Sequence, residues 1–296
     1  MGIKRYTANA DTTITNAYKA NLNTRATGSN MGLADSLEVF HIFGQESSTS
    51  AENSRILIDF PVTTTITSDR SAGTIPASGS VSWFLRVHNV VHPGTLPRNY
   101  NMTISAVSRS WDEGTGLDME GYTDSGSCNW TSAASSSGGD ISWTTAGGDY
   151  HAAATGSTAY FDNGTEDIEV DISHLVEEWI KGLSGGAKGN TYGVGIKMEN
   201  ESALSSSYTK KFSARGSQYF FNRPTLEARW DAAIKDDRGN FYYSSSLAPA
   251  ADNLNDVYLY NYSRGRLVDI PGIGSGDNIY VNLYASTSDA PTGSAL

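Results

Sequence analysis

The stretch Ile168–Trp179, IEVDISHLVEEW, decides the fold class, because within it a strand period passes directly into a helical one. Ile168, Val170 and Ile172 alternate with Glu169 and Asp171, the two-residue period of a half-buried strand. Leu175, Val176, Trp179 and Ile180 then recur at helical spacing, with Glu177, Glu178 and Lys181 on the opposite side. Asp171 or Ser173 can accept the free amide hydrogens of the first turn, and Gly182 can end the helix in a left-handed conformation. The rest of the chain reads as strand or loop. The expectation is an all-β, jelly-roll-like β-sandwich with one short covering α-helix at an opening.

Working outward, alternation marks strands at Tyr6–Thr15, Leu37–Phe43, Arg55–Phe60 and Val81–Val87, the third stopped by Pro61 and the fourth by His92-Pro93-Gly94. Tyr100, Met102, Ile104 and Ala106 continue the pattern toward Trp111. Beyond the helix come Tyr192–Met198, Lys210–Arg215, Gln218–Phe221 and Thr225–Trp230. Gly193 and Gly195 predict a bulge or a close backbone approach. In the last strand Leu226, Ala228 and Trp230 face inward, and Glu227 and Arg229 outward. Between Trp111 and Gly164 the chain is rich in Gly and Ser and holds Trp111, Trp130 and Trp143. It reads as long loops pinned to the sandwich surface by their aromatic residues, and such loops are usually functional or contact a neighbour.

The sandwich is expected to span residues 1–231 and a small C-terminal β domain, immunoglobulin-like or partial, residues 232–296. Asp231–Lys235 reads as a linker, and Phe241–Ser245, Val257–Tyr262 and Asn278–Tyr284 as strands, with a turn at Pro271-Gly272. Three strands are thin for an independent sandwich, so this block is expected to continue into more chain or to be completed by a neighbouring subunit.

A net charge of −11 and a sequence pI near 4.8 argue against nucleic acid and against an anionic membrane surface as partners. The single cysteine, Cys128, cannot close an intramolecular disulfide. The start MGIKRYTANAD has no apolar signal stretch, and position 6 is Tyr where a myristoylation motif needs Ser or Thr, which predicts a soluble cytoplasmic product. His88 and His92 would lie roughly 13 Å apart along an extended strand, too far to share a metal. There is no CxxC, HExxH or GxSxG. GLSGGAKG at 182–189 trails a helix instead of preceding one, and the Gly-rich run at 272–276 is followed by no helix pattern, so both read as turns.

Two constellations remain as candidate sites. Asp112, Glu113, Asp118, Glu120 and Asp124 share one loop, and are read first as solvated or capping carboxylates. Calcium, held by Asp112, Glu113 and Asp118, is the second reading, because calcium takes six to eight oxygens from flexible acidic loops. A catalytic carboxylate pair is the third. Tyr122, Trp130, Trp143 and Tyr150 are read as buried or subunit-contacting aromatics, with stacking on a glycan as the alternative.

The order ADTTI, SRILIDF, WFLRV, SRSWDEG, VDISHLVEEWIKG, YGVGIK, KKFSARGS and RPTLEARW, over about residues 6–231, resembles the disaggregatase-related (DNRLRE-type) β-sandwich family. With its MGIKRY start and its DDRGNFYYSS, VYLYN and IPG segments, the chain looks closer still to virion structural proteins of tailed marine bacteriophages. That resemblance implies a non-enzymatic capsid-, neck- or tail-associated protein located in the virion, with other virion proteins and further copies of itself as partners. The runner-up it implies is an adhesion module that binds a host surface glycan. The family has no fixed sugar-contact signature, so no binding residue is carried over.

Overall fold

The computed structural model describes residues 1–44, 50–91, 96–123, 127–152, 156–182 and 192–232, and further along 247, 249, 255, 257–273, 277–279, 284 and 294. The chain divides into two units, Met1–Ala232 and Ala233–Leu296.

The first unit is an all-β sandwich of two antiparallel sheets. The first sheet runs in the order β1 (Gly2–Thr7), β13 (Thr225–Trp230), β5 (Val81–Val87), β10 (Ile168–Asp171). The second runs β12 (Ser207–Ser213), β3 (Ser36–Ile42), β4 (Glu52–Asp59), β11 (Val194–Met198), β6 (Tyr100–Ala106), β9 (Ser157–Phe161), with β2 (Ala10–Thr15) also paired to β4. The alternation seen in the sequence builds the space between them. Tyr6, Val81, Trp83, Leu85, Val87, Leu226 and Ala228 face Leu37, Val39, Ile56, Ile58, Met102, Ile104, Val194 and Ile196 in one buried cluster. Each large aliphatic or aromatic side chain removed from water there contributes about 1.5–3 kcal/mol before chain entropy is set against it.

The helix read from VDISHLVEEW is α2 (Ser173–Lys181), and Leu175, Val176 and Trp179 bury into the same cluster. Asp171 Oδ1 accepts the Ser173 amide at 2.8 Å, and Gly182 ends the helix at φ 62°. The Ser173 hydroxyl instead accepts the Trp83 amide, tying the helix start to β5. Glu177, placed on the polar side by its spacing, is half-buried. It takes two bonds from Arg70 and one from Trp83 Nε1, which clamps α2 to the sheet and to a second helix.

That second helix corrects the expectation of a single one. A π-helical turn, Val62–Ile66, begins directly after Pro61 and leads into α1 (Thr67–Ser71). Its sequence, VTTTITSDRS, is made of weak helix formers, but Val62 and Ile66 lie four apart and both reach the core, so burial outweighs propensity. The expected strand Tyr6–Thr15 is two strands in different sheets. Ala8 N–H bonds Pro224 on the first-sheet side, and Asn9 N–H bonds Asp59 on the second, so the chain changes sheet between them. The expected strand at Gln218–Phe221 is instead a 3₁₀ turn, Phe220–Asn222. The region read as long loops contains a hairpin, β7 (Ser132–Ser136) with β8 (Gly139–Ser142), and the edge strand β9.

In the second unit the described residues form one small hairpin, β14 (Tyr262–Ser263) with β15 (Arg266–Leu267). Its tip, Arg264 and Gly265, has both residues at positive φ, the primed turn that suits the twist of paired strands. Val257–Asn261, expected as strand, has no regular structure, whereas Pro271-Gly272 is a turn as expected. The expected features at 92–94, Asp124, most of 182–189 and 241–245, and much of 278–284 lie outside the described residues.

Candidate interaction surface

The acidic loop is drawn apart by its partners. Glu113 accepts the Asp11 amide at 2.8 Å and Arg215 Nε at 3.0 Å, and forms an ion pair with the same guanidinium. Asp118 Oδ1 accepts the amides of Glu120 and Gly121, an Asx-type turn within the loop. The backbone of Asp112 bonds Ala133 and Cys128. The carboxylates of Glu113 and Asp118 thus serve different neighbours, and Asp112 is tied in through its backbone. Among the described residues no group of three or more His, Cys, Asp or Glu side chains stands where it could hold a metal ion. Asp11, buried beside Glu113 and Arg215, has its carboxyl pushed up to about 7. Burial is the main cause, with the Glu113 charge adding to it against the Arg215 amide and charge.

Three of the four aromatic candidates form a second apolar cluster. Trp130 and Trp143, 7% and 5% exposed, pack with Ile14, Leu57, Val107, Cys128 and Ala133, and Trp111, Tyr150 and Tyr192 lie against them. The register of the second sheet explains the place. Ile56 and Ile58 point into the sandwich, so Leu57 points out, and its cross-strand partner Gly195 shares that outer face. Gly195 has to be glycine, since a Cβ there would collide with the Tyr150 ring; this is the close approach its sequence predicted. Trp111 and Trp143 donate their indole N–H groups to Tyr192 and Asn129 carbonyls. Rings buried in this way offer no open face for a sugar to stack on, so the glycan reading loses Trp130 and Trp143 as its platform. Tyr122 sits apart, half-exposed, its carbonyl accepting the Asn30 amide.

The outer face of the first sheet carries a different set. Register places Arg5, Glu227 and Phe84 in one cross-strand row, with Arg86 and Arg229 in the rows beside it. Glu227 is only 2% exposed although it points away from the core, because three guanidiniums close over it. Arg229 Nε lies 2.6 Å and Arg86 Nη1 3.1 Å from its oxygens, and Arg5 Nε bonds it as well. Arg229 also reaches Glu169 at 2.7 Å and lies 4.1 Å over the Phe84 ring. Burial alone would raise the Glu227 pKa, but the hydrogen bonds from Arg5 and Arg229 and the charges of Arg229 and Arg86 outweigh it and hold it at about 2.

Beside this cluster the 3₁₀ turn lifts three aromatics into solvent. Tyr219, Phe220 and Phe221 are 65%, 58% and 84% exposed, and the two phenylalanines meet edge to face at 5.6 Å. Phe220 and Phe221, with Arg5, Arg86 and His88, line a groove of about 390 Å³. Arg223 fixes the turn by bonding the Ser217 carbonyl and lying 5.5 Å over Phe220. Adjacent exposed aromatics next to a pre-positioned arginine cluster are the composition of a protein contact surface.

Sequence reasoning missed this surface. Glu227 and Arg229 were placed outward correctly, but nothing local shows that Arg5 and Arg86, more than a hundred residues away, converge on them. The run YFFNRP did hold a signal: three consecutive aromatics cannot share one face of a strand, and Asn-Arg-Pro after them marks a turn. Compared with known proteins, the sequence matches no family model and no curated protein, so the surface is read from its own chemistry.

Proposed function

We propose that the chain is a non-enzymatic assembly protein whose contact surface is the outer face of the first sheet, and that the partner seated there is another copy of the same chain. The observation that carries this reading is the patch itself: Phe220 and Phe221 in solvent beside Arg5 and Arg86, which share Glu227 with Arg229. Arg5, Arg86 and Arg229 set against Glu227 and Glu169 leave one net positive charge on the patch, which is complementary to a second copy of a chain with 32 acidic against 21 basic residues. A patch on one copy that meets a different region of the next gives a head-to-tail contact, which closes into a ring or extends into a stack. The resemblance to tailed-phage proteins supports a virion as the particle into which such copies are built.

Sedimentation velocity of the full chain over a concentration series tests the reading. Association should be weakened by added salt and lost in a Phe220→Ser/Phe221→Ser variant that keeps the parent's melting temperature. A chain that remains monomeric at the highest concentration, or a variant that associates as well as the parent, would refute it.

A further inference from the structure

On the opposite side of the sandwich, where the tryptophan cluster ends, lies an open polar cleft of about 640 Å³. Its floor is the outer face of the second sheet, from which Arg55 and Lys197 project, and its walls are Ser108-Arg109 and the turn Thr144–His151. The turn is fixed by sequence: Gly147 and Gly148 have φ 93° and 101°, and a Cβ on Gly147 would meet Arg55 and Trp130.

The cations in the cleft are not equivalent. Arg55 is fully engaged, giving Nε and Nη2 to Glu201 and Nη1 to the Gly147 carbonyl while lying over Trp130, so its charge is balanced and its role is structural. Arg109 is paired with Asp149 at 3.5 Å and donates to it through one N–H, which leaves its other guanidinium N–H groups to the cleft, while both Asp149 oxygens also accept the Thr144 and Thr145 amides at 2.9 and 3.0 Å. Lys197 has no hydrogen bond or ion pair among the described residues, and its ammonium lies 5.8 Å over the Tyr150 ring. His151 lines the same cleft, and its Nε2 is buried without a hydrogen-bond partner.

Pairing Arg55 with Glu201 and Arg109 with Asp149 leaves one positive charge, that of Lys197, with two donor groups oriented and underused. Asp149 opposes any anion placed beside Arg109 and opposes a dianion such as a phosphate monoester more strongly, whereas the one charge of a carboxylate is balanced by Lys197. The lining is hydroxyl-bearing and polar, which suits a hydrophilic ligand and not an apolar one. We infer that this cleft binds a small hydrophilic molecule through one carboxylate group held between Lys197 and Arg109.

Isothermal titration of the full chain with glucuronate, lactate, glucose and glucose 6-phosphate tests the inference. Glucuronate should bind, glucose should not, and glucose 6-phosphate should bind more weakly. Lys197→Gln and Arg109→Gln should each lower glucuronate affinity by about tenfold or more while leaving the melting temperature unchanged, and Lys197→Arg should recover part of it. Lactate binding as tightly as glucuronate would place the whole recognition in the carboxylate; lactate binding more weakly would add the sugar hydroxyls, and both results support the site. No saturation with either carboxylate in the millimolar range, equal binding of glucose, or affinity unchanged in both Gln variants would overturn it. The Phe220→Ser/Phe221→Ser variant should bind glucuronate normally, which separates this site from the contact surface.

Discussion

The two sheets present opposite outer faces, one roofed and one bare. On the second sheet Ile14 and Leu57 point outward and are covered by Trp130, Trp143 and the hairpin region that carries them. On the first, the outward row is Arg5, Glu227 and Phe84, and the exposed aromatics beside it are Phe220 and Phe221. A sheet with apolar residues on both sides needs cover on both, whereas one with a charged outer row can meet water. The first sheet therefore folds without a cover and keeps a surface free to meet something else. The long Gly/Ser-rich excursion, whose length and tryptophans pointed to function, works largely as the lid of a second core.

The comparison breaks first at the roof. Trp130→Ala should empty part of the second cluster and destabilise the chain by about 3–5 kcal/mol in chemical denaturation, the range for a buried large aromatic. A loss below about 1 kcal/mol would mean that the excursion is a detachable loop. Glu227→Ala should come next, with a loss on the order of 3 kcal/mol, since it leaves three guanidiniums crowded over a buried site. The acid dependence follows from its depressed pKa. Glu227 contributes stability that is fully present above the unfolded carboxylate value near 4.5 and is lost as pH falls toward 2. The parent's acid unfolding should thus be steeper than that of Glu227→Gln.

Asp11 tests the seam between the sheets with the opposite sign. Its folded pKa is raised, so its contribution is present below the unfolded value near 3.8 and is lost as pH rises through about 7. Asp11→Asn, which keeps an acceptor for the Arg215 amide, should gain on the parent by on the order of 4 kcal/mol between pH 4 and pH 8 in paired thermal melts. A gap independent of pH would show that Asp11 stays ionised throughout. The smallest stability effect belongs to Phe221→Ser, within about 0.5 kcal/mol of the parent, because that ring is mostly in water already.

Strand alternation made the inner core legible: Trp83, Leu85, Leu226 and Ala228 lie where their spacing placed them, and Gly182 ends the helix that VDISHLVEEW announced. Two kinds of feature were not legible. A change of sheet leaves no trace in the period, so Ala8-Asn9 looked like the middle of one strand. Pairings distant in sequence are equally silent: Arg5 and Glu227 meet across 222 positions, and Arg215 meets Glu113 across 102. The acidic loop shows the consequence. Its carboxylates form a cluster in sequence, but in space Glu113 bonds Arg215, Asp118 bonds its own loop and Glu120 bonds the Ala20 amide. The 62–71 helical segment was hidden because Thr and Ser mask a four-residue apolar spacing that only the core makes decisive.

Hydrogen–deuterium exchange of the full chain, compared between dilute and concentrated solution, tests most directly whether the bare face is the one that docks. The account predicts slower exchange on concentration in the peptide covering Tyr219–Arg223, with no change across the hairpin Ser132–Ser142 of the roofed face. Protection that appears on the hairpin and leaves the Tyr219–Arg223 turn unchanged would contradict it.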